Sequence, residues 1–209
     1  MSTTLFYRKP FIDWGVADQA LPGQTVSGDL YLVKVFDHGA LAAVVDGLGH
    51  GDGATAAAQT AVAVLAENAD QSVITLVKRC HRALRDTRGA VMTLASFNMH
   101  EGTLTWLCVG NVEGLLLRAD PKTVPASEGA LLRGGVVGYQ LPPLHASVVA
   151  IAPNDLLILA SDGIRGDFGR GLTASDSPQQ IAERIMDQYF KGNDDALVLV
   201  VRFLGMRHE

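Results

Sequence analysis

The sequence predicts an α+β fold: two mainly antiparallel sheets, each covered by helices, in a four-layer α-β-β-α sandwich. Two observations carry this expectation. Apolar, β-branched runs follow one another across short turns, and the two longest helical patterns are consecutive, unlike the alternation of a parallel βαβ sheet. With 209 residues, 48% of them hydrophobic, the chain suits one domain, 1–209, with a full core.

The elements follow in order. Strands are expected at 30–36 and 41–45, joined by 37-DHGA-40, a hairpin turn in which Gly39 is free to take positive φ. A helix follows over about 53–68, where Ala54, Ala57, Ala58, Ala61, Val62 and Leu65 make a one-sided stripe of small residues suited to close contact with a sheet. A second helix spans about 72–86, with Val73, Leu76, Val77, Cys80 and Leu84 inward and Lys78, Arg82 and Arg85 on a solvated face. Strands are expected again at 91–99, 103–110 and 113–119. The stretch 120–143 holds four prolines and reads as a long surface loop around a short element at 130–132. Strands return at 145–151 and 155–161, linked through Pro153-Asn154. Ser177, Pro178 and Gln180 form a capping box that opens a third helix, and the last strand covers 196–204.

Composition narrows the function. A net charge of −5 argues against a nucleic-acid binder, and no apolar run reaches the roughly 18 residues of a membrane span. The N-terminus, MSTTLFYRKPF, lacks the apolar core of a signal peptide. Cys80 and Cys108 read as two reduced, buried thiols of a cytoplasmic protein.

The chemistry sits at strand ends. In 44-VVDGLGHGDGA-54 an apolar strand ends on Asp46 and runs into a nearly bare glycine turn. Asp29 precedes a strand, Asp162 follows one, and Asp194-Asp195 precede the last. Singly, each aspartate suits a turn or a cap. In antiparallel neighbours the start of one strand lies beside the end of the next, so all four can gather on one rim. Gathered carboxylates repel and are costly to bury, and a hard divalent cation (Mg²⁺, Mn²⁺ or Ca²⁺) offsets that cost through oxygen ligands. Other chemistries lack their motifs. No Gly-Lys-Ser/Thr follows the glycines, no G-x-S-x-G elbow is present, no arginine stands six residues after either cysteine, and no two aspartates are two apart.

The ordered set 27-SGD-29, 46-DGLGHG-51, 161-SDG-163 and 194-DDALVLVV-201 resembles the metal-dependent serine/threonine phosphatases of type 2C. Their bacterial branch, which includes the sporulation stage II E and general-stress enzymes, is the closer match. The similarity runs from about residue 13 to 204 and includes 109-VGN-111 and 134-GGVVG-138. Without an N-terminal sensor, the chain looks most like a stand-alone feedback phosphatase of a stressosome.

The resemblance implies a β-sandwich flanked by helices and two ions, Mn²⁺ or Mg²⁺, on its rim. Asp29, Asp46, Gly47 through its carbonyl, Asp162 and Asp194 would be the ligands, with Asp195 a neighbour of the ligands. Asp46, Asp162 and Asp194 would carry catalysis. The reaction implied is hydrolysis of phosphoserine and phosphothreonine on phosphorylated STAS-domain proteins by metal-activated water, without a phosphoenzyme, in a monomer. Departures stand beside it: Leu48 follows the Asp-Gly where the larger eukaryotic enzymes have histidine, which leaves His50 a structural role in the turn. No clear counterpart of their phosphate-binding arginine is present, and Arg165 reads as a surface residue. An inactive binding module of the same fold and a small-ester hydrolase are the alternatives.

Overall fold

The computed structural model describes residues 11–120, 122–172 and 175–205. The N-terminal stretch MSTTLFYRKPF, expected to be no leader, lies almost wholly outside them. Ten strands and three helices follow in chain order: β1 (Ile12–Gln19), β2 (Asp29–Phe36), β3 (Gly39–Gly47), α1 (Asp52–Glu67), α2 (Val73–Ala83), β4 (Ala90–Asn98), β5 (Thr103–Val109), β6 (Glu113–Leu117), β7 (Ser127–Gly129), β8 (Ser147–Ala150), β9 (Leu156–Ala160), α3 (Pro178–Tyr189) and β10 (Ala196–Phe203). One sheet has the order β1-β10-β9-β6-β7 and the other β2-β3-β4-β5-β8, and every pairing is antiparallel.

Alternation along the central strands builds three cores. On β3, Ala40, Ala42 and Val44 face the opposite sheet, while Leu41, Ala43 and Val45 face α1 and α2. On β10, Leu197, Leu199, Val201 and Phe203 face between the sheets, and Ala196, Val198 and Val200 meet Ile181, Ala182 and Ile185 of α3. A strand buried on both faces has no polar positions to alternate with, which explains the continuous apolar runs. Each large aliphatic side chain buried this way contributes about 1.5–3 kcal/mol. The layers are therefore α1/α2, sheet, sheet, α3, the predicted four-layer sandwich.

Local signals hold where they are strong. Ser177 and Gln180 form the reciprocal capping box with Pro178 in the first turn, and the Ser72 hydroxyl accepts from Thr75 N–H to start α2. Both cysteines are free and buried.

Three expectations are corrected. Gly39 does not take positive φ; it lies in β3 opposite Phe36, where a Cβ would stand 2.1 Å from the Phe97 carbonyl, so tight strand contact requires glycine there. The short element in the long loop is β7, at Ser127–Gly129 and paired with β6, not at 130–132, where Leu131 and Leu132 stand exposed. β1 was not expected. It is an edge strand with only one long face against α3, and its Asp13, Gly15 and Asp18 weaken any strand pattern.

Candidate active site on the sandwich rim

Strand register brings the acidic residues together. Asp29 opens β2 directly opposite Asp46 near the end of β3. In the other sheet β9 ends at Ala160, beside Val198 of β10, so Asp162 and Asp194 flank neighbouring strand ends. Ser161 locks this corner: its N–H donates to the Leu197 carbonyl at 3.0 Å, and its hydroxyl accepts from Leu197 N–H at 2.8 Å.

Asp195 joins the sheets. It is buried, and its two carboxylate oxygens accept from Leu21 N–H and Gly28 N–H, each at 2.7 Å. Those bonds tie the start of β10 to the segment between β1 and β2. Asp195 is thus a clamp behind the site, while Asp194, which accepts from Asp195 N–H at 2.9 Å, faces the pocket.

The pocket has a volume of about 300 Å³ and is lined by Asp46, Asp162 and Asp194 with Asn111 and His50 among its walls. Asp29 and Gly47 do not line it; both are buried behind Asp46. Gly47 is required by close approach, since a Cβ there would stand 2.1 Å from the Ala54 carbonyl at the start of α1. His50 is exposed on the glycine turn. Arg165 is held away from the pocket, donating to the Gln188 carbonyl and stacking over the Tyr189 ring.

Burial makes these carboxylates reluctant to ionise. Asp46 is pushed up to about 8, first by desolvation and then by the charges of Asp29, Asp162, Asp194 and Asp195. Asp29 is pushed up to about 7, again chiefly by burial, with a Ser161 hydrogen bond opposing and Asp195, Asp162 and Asp194 adding repulsion. Asp162 is raised by burial and by Asp194, while Lys191 and Asn111 pull it down. Asn111 Nδ2 donates to Asp162 Oδ2 at 2.6 Å, and Lys191 Nζ donates to the Asp162 carbonyl.

The donor set fits hard divalent cations. Asp29 Oδ2 is buried without a hydrogen-bond partner, an orphaned acceptor beside several like charges. All donors here are oxygens. Among the described residues no three His, Cys, Asp or Glu side chains stand close enough together to hold an ion between them. Ions such as Mg²⁺, which keep several waters, need only one or two carboxylates each.

Sequence reasoning missed Asn111 as the partner of Asp162, the Lys191 tie, and Val136, which brings the long 120–143 loop into the pocket wall. The dipeptide Gly110-Asn111 after a strand was the available signal. Val136 lies in 134-GGVVG-138, which carried the family likeness but no role, and Lys191 carries no signal.

A two-sheet sandwich with carboxylates collected on one rim is the architecture of the type 2C phosphatases. The chain belongs to the stage II sporulation protein E (SpoIIE) family, whose sequence model matches residues 37–204. It is 34% identical over 95 residues, 45% of this chain, to phosphoserine phosphatase RsbX of Bacillus subtilis (strain 168). It is 24% identical over 215 residues, 91% of this chain, to stage II sporulation protein E of Priestia megaterium. These matches span less than half of each curated relative, 47% and 36%. Among solved structures, a chain from work on the bacterial stressosome superposes with a TM-score of 0.82 at 28% identity, covering 91% of this chain and 99% of that one. RsbX in complex with magnesium gives 0.82 at 21% identity, covering 93% and 96%. The PP2C domain of Bacillus subtilis SpoIIE gives 0.73 at 23%, covering 91% and 62%, and these last two show the fold alone. Among the described residues, no helix is long and apolar enough to cross a membrane.

Proposed function

We propose that this chain is a Mn²⁺- or Mg²⁺-dependent protein serine/threonine phosphatase that acts on phosphorylated STAS-domain proteins of a stressosome. The observation that carries the reading is the rim itself: Asp46, Asp162 and Asp194 line one pocket above the orphaned Asp29 oxygen. The RsbX relative, described as a phosphoserine phosphatase, and the stressosome and magnesium-bound structures support the substrate class and the metal.

Asp46, Asp162 and Asp194 would hold the cations from the pocket side, with Asp29 and the Gly47 carbonyl behind them. Bound divalent ions, two in this reading, supply the charge compensation and the activated water that phosphomonoester hydrolysis needs. Asn111 and Lys191 fix the Asp162 corner, and Asp195 ties the start of β10 to the segment that leads into β2. No cysteine is available as a nucleophile: both are buried, and burial pushes the Cys80 thiol up to about 12. The whole of 1–209 would act as one cytoplasmic, monomeric phosphatase domain.

The substrate class is tested by comparing a phosphoserine-bearing STAS-domain protein with p-nitrophenyl phosphate under the same Mn²⁺ concentration. A kcat/KM about 100-fold higher for the protein is expected, because contacts remote from the ester add to transition-state binding. Equal or better turnover of the small ester would assign the site to small phosphate esters instead.

A further inference from the structure

We infer that Arg88, which stands behind Gly49 and His50 of the pocket lining, reaches the phosphoryl group of the substrate, an inference that rests on the phosphatase reading above. The glycine turn after Asp46 is shaped around this side chain. A Cβ on Gly53 would stand 2.7 Å from Arg88 Nε and 2.8 Å from Cζ, and a Cβ on Gly49 would stand 3.1 Å from Nη1. The bare backbone of the turn therefore leaves room for a guanidinium as well as for the approach of α1. Arg88 Nη1 donates to the His50 carbonyl over a long 3.4 Å, and Gly49 and His50 both line the carboxylate pocket. The backbone next to it is anchored by Leu48 N–H, which donates to the Gly89 carbonyl at 3.0 Å.

Two other cations near this rim are already engaged. Lys191 holds the Asp162 carbonyl, and Arg165 is tied to the Gln188 carbonyl and the Tyr189 ring. Among the described residues Arg88 forms no ion pair, so most of its N–H donors are unassigned. A phosphomonoester near neutral pH carries close to two negative charges and three acceptor oxygens. A pocket walled by aspartates repels such a group, and a guanidinium fork beside it supplies paired donors that match phosphate oxygens. Seating the fork on glycine limits its freedom before substrate arrives, which lowers the ordering cost of binding.

The test uses the Mn²⁺-loaded protein, with Arg88→Ala, Arg88→Lys and, as a control cation, Arg165→Ala. Steady-state kinetics are measured on a phosphorylated STAS-domain protein and on p-nitrophenyl phosphate, and inorganic phosphate binding is measured by calorimetry. Arg88→Ala should weaken phosphate binding and raise KM by about 10–100-fold for both substrates, the loss expected for a charge-assisted contact. Arg88→Lys should recover part of it, and Arg165→Ala should match the wild type. Mn²⁺ affinity and thermal stability should be unchanged by Arg88→Ala, which a merely structural arginine would not allow. Gly53→Ala, which displaces the guanidinium, should reproduce the phosphate defect.

Wild-type phosphate affinity in Arg88→Ala, or a defect confined to the phosphoprotein, would overturn the inference. Failure of the wild type to turn over either substrate would strike the phosphatase reading, whereas turnover that is indifferent to Arg88 would strike this inference alone. Phosphate titration reads the role of Arg88 without needing turnover.

Discussion

Replacing Asp46 by Asn should stabilise the metal-free protein while abolishing most of its stabilisation by metal. Asp46 rises from an ordinary 3.8 to about 8 in the folded chain, mainly because burial penalises its charge. For an acid whose folded value is raised, stability is fully present below the unfolded value and is lost as pH rises through the folded one. A rise of that size, at about 1.36 kcal/mol per pH unit, sets a ceiling of roughly 6 kcal/mol well above pH 8. Asn keeps a dehydrated polar head, and Asp46 retains partial access to solvent through the pocket. A gain of about 1–3 kcal/mol at pH 8 follows, or roughly 3–10 °C in Tm for a domain of this size. Divalent ion reverses the order, because a ligand at 100 times its Kd adds about 2.7 kcal/mol to whichever protein binds it. Thermal unfolding of both proteins in EDTA and in Mn²⁺, from pH 6 to 8.5, reads this directly. The wild type should fall relative to Asp46→Asn as pH rises in EDTA and overtake it in Mn²⁺. A mutant less stable than wild type in EDTA at pH 8 would refute the picture of a strained, cation-awaiting carboxylate.

Two other substitutions separate the site from its scaffold. Asp195→Asn leaves one of the Leu21 and Gly28 N–H groups without its carboxylate acceptor, so stability should drop by about 2 kcal/mol in denaturant titration and Mn²⁺ affinity by about 10–100-fold in calorimetry. Asp155 is buried and accepts from Ala119 N–H, Ala152 N–H and Arg118 Nη1, at the opposite end of β9 from Asp162. Asp155→Ala should therefore cost about 3–5 kcal/mol in unfolding, with kcat/KM per folded molecule unchanged.

How far the sequence could be read depends on which interactions write themselves into local pattern. Central strands β3, β9 and β10 are legible because burial on both faces demands unbroken apolar runs, and α3 is legible because Ser177, Pro178 and Gln180 are local chemistry. β1 is hidden because an edge strand tolerates Asp13, Gly15 and Asp18, and only pairing with β10 over the full length of the chain makes it a strand. In the site, Asp46 and Asp162 announce themselves as Asp-Gly pairs after apolar strands. The family resemblance, aligned on the following strand, favours Asp194 over Asp195 as a ligand, and Asp194 is the one that lines the pocket. The clamp made by Asp195 was not, since its partners Leu21 and Gly28 donate backbone N–H groups that leave no mark in composition. Arg88 and Lys191 look like ordinary surface cations until folding seats one on the glycine turn and the other on the Asp162 carbonyl.

The most direct test of the central claim is phosphate release from a phosphorylated STAS-domain protein, measured in Mn²⁺, in EDTA and with Asp46→Asn. Release that requires Mn²⁺, stops in EDTA and falls by at least about 1000-fold in the mutant is the predicted result, since the lost ligand removes both charge compensation and water activation. Release that persists in EDTA, or survives in Asp46→Asn at the wild-type rate, would contradict a cation-dependent site built on the rim carboxylates.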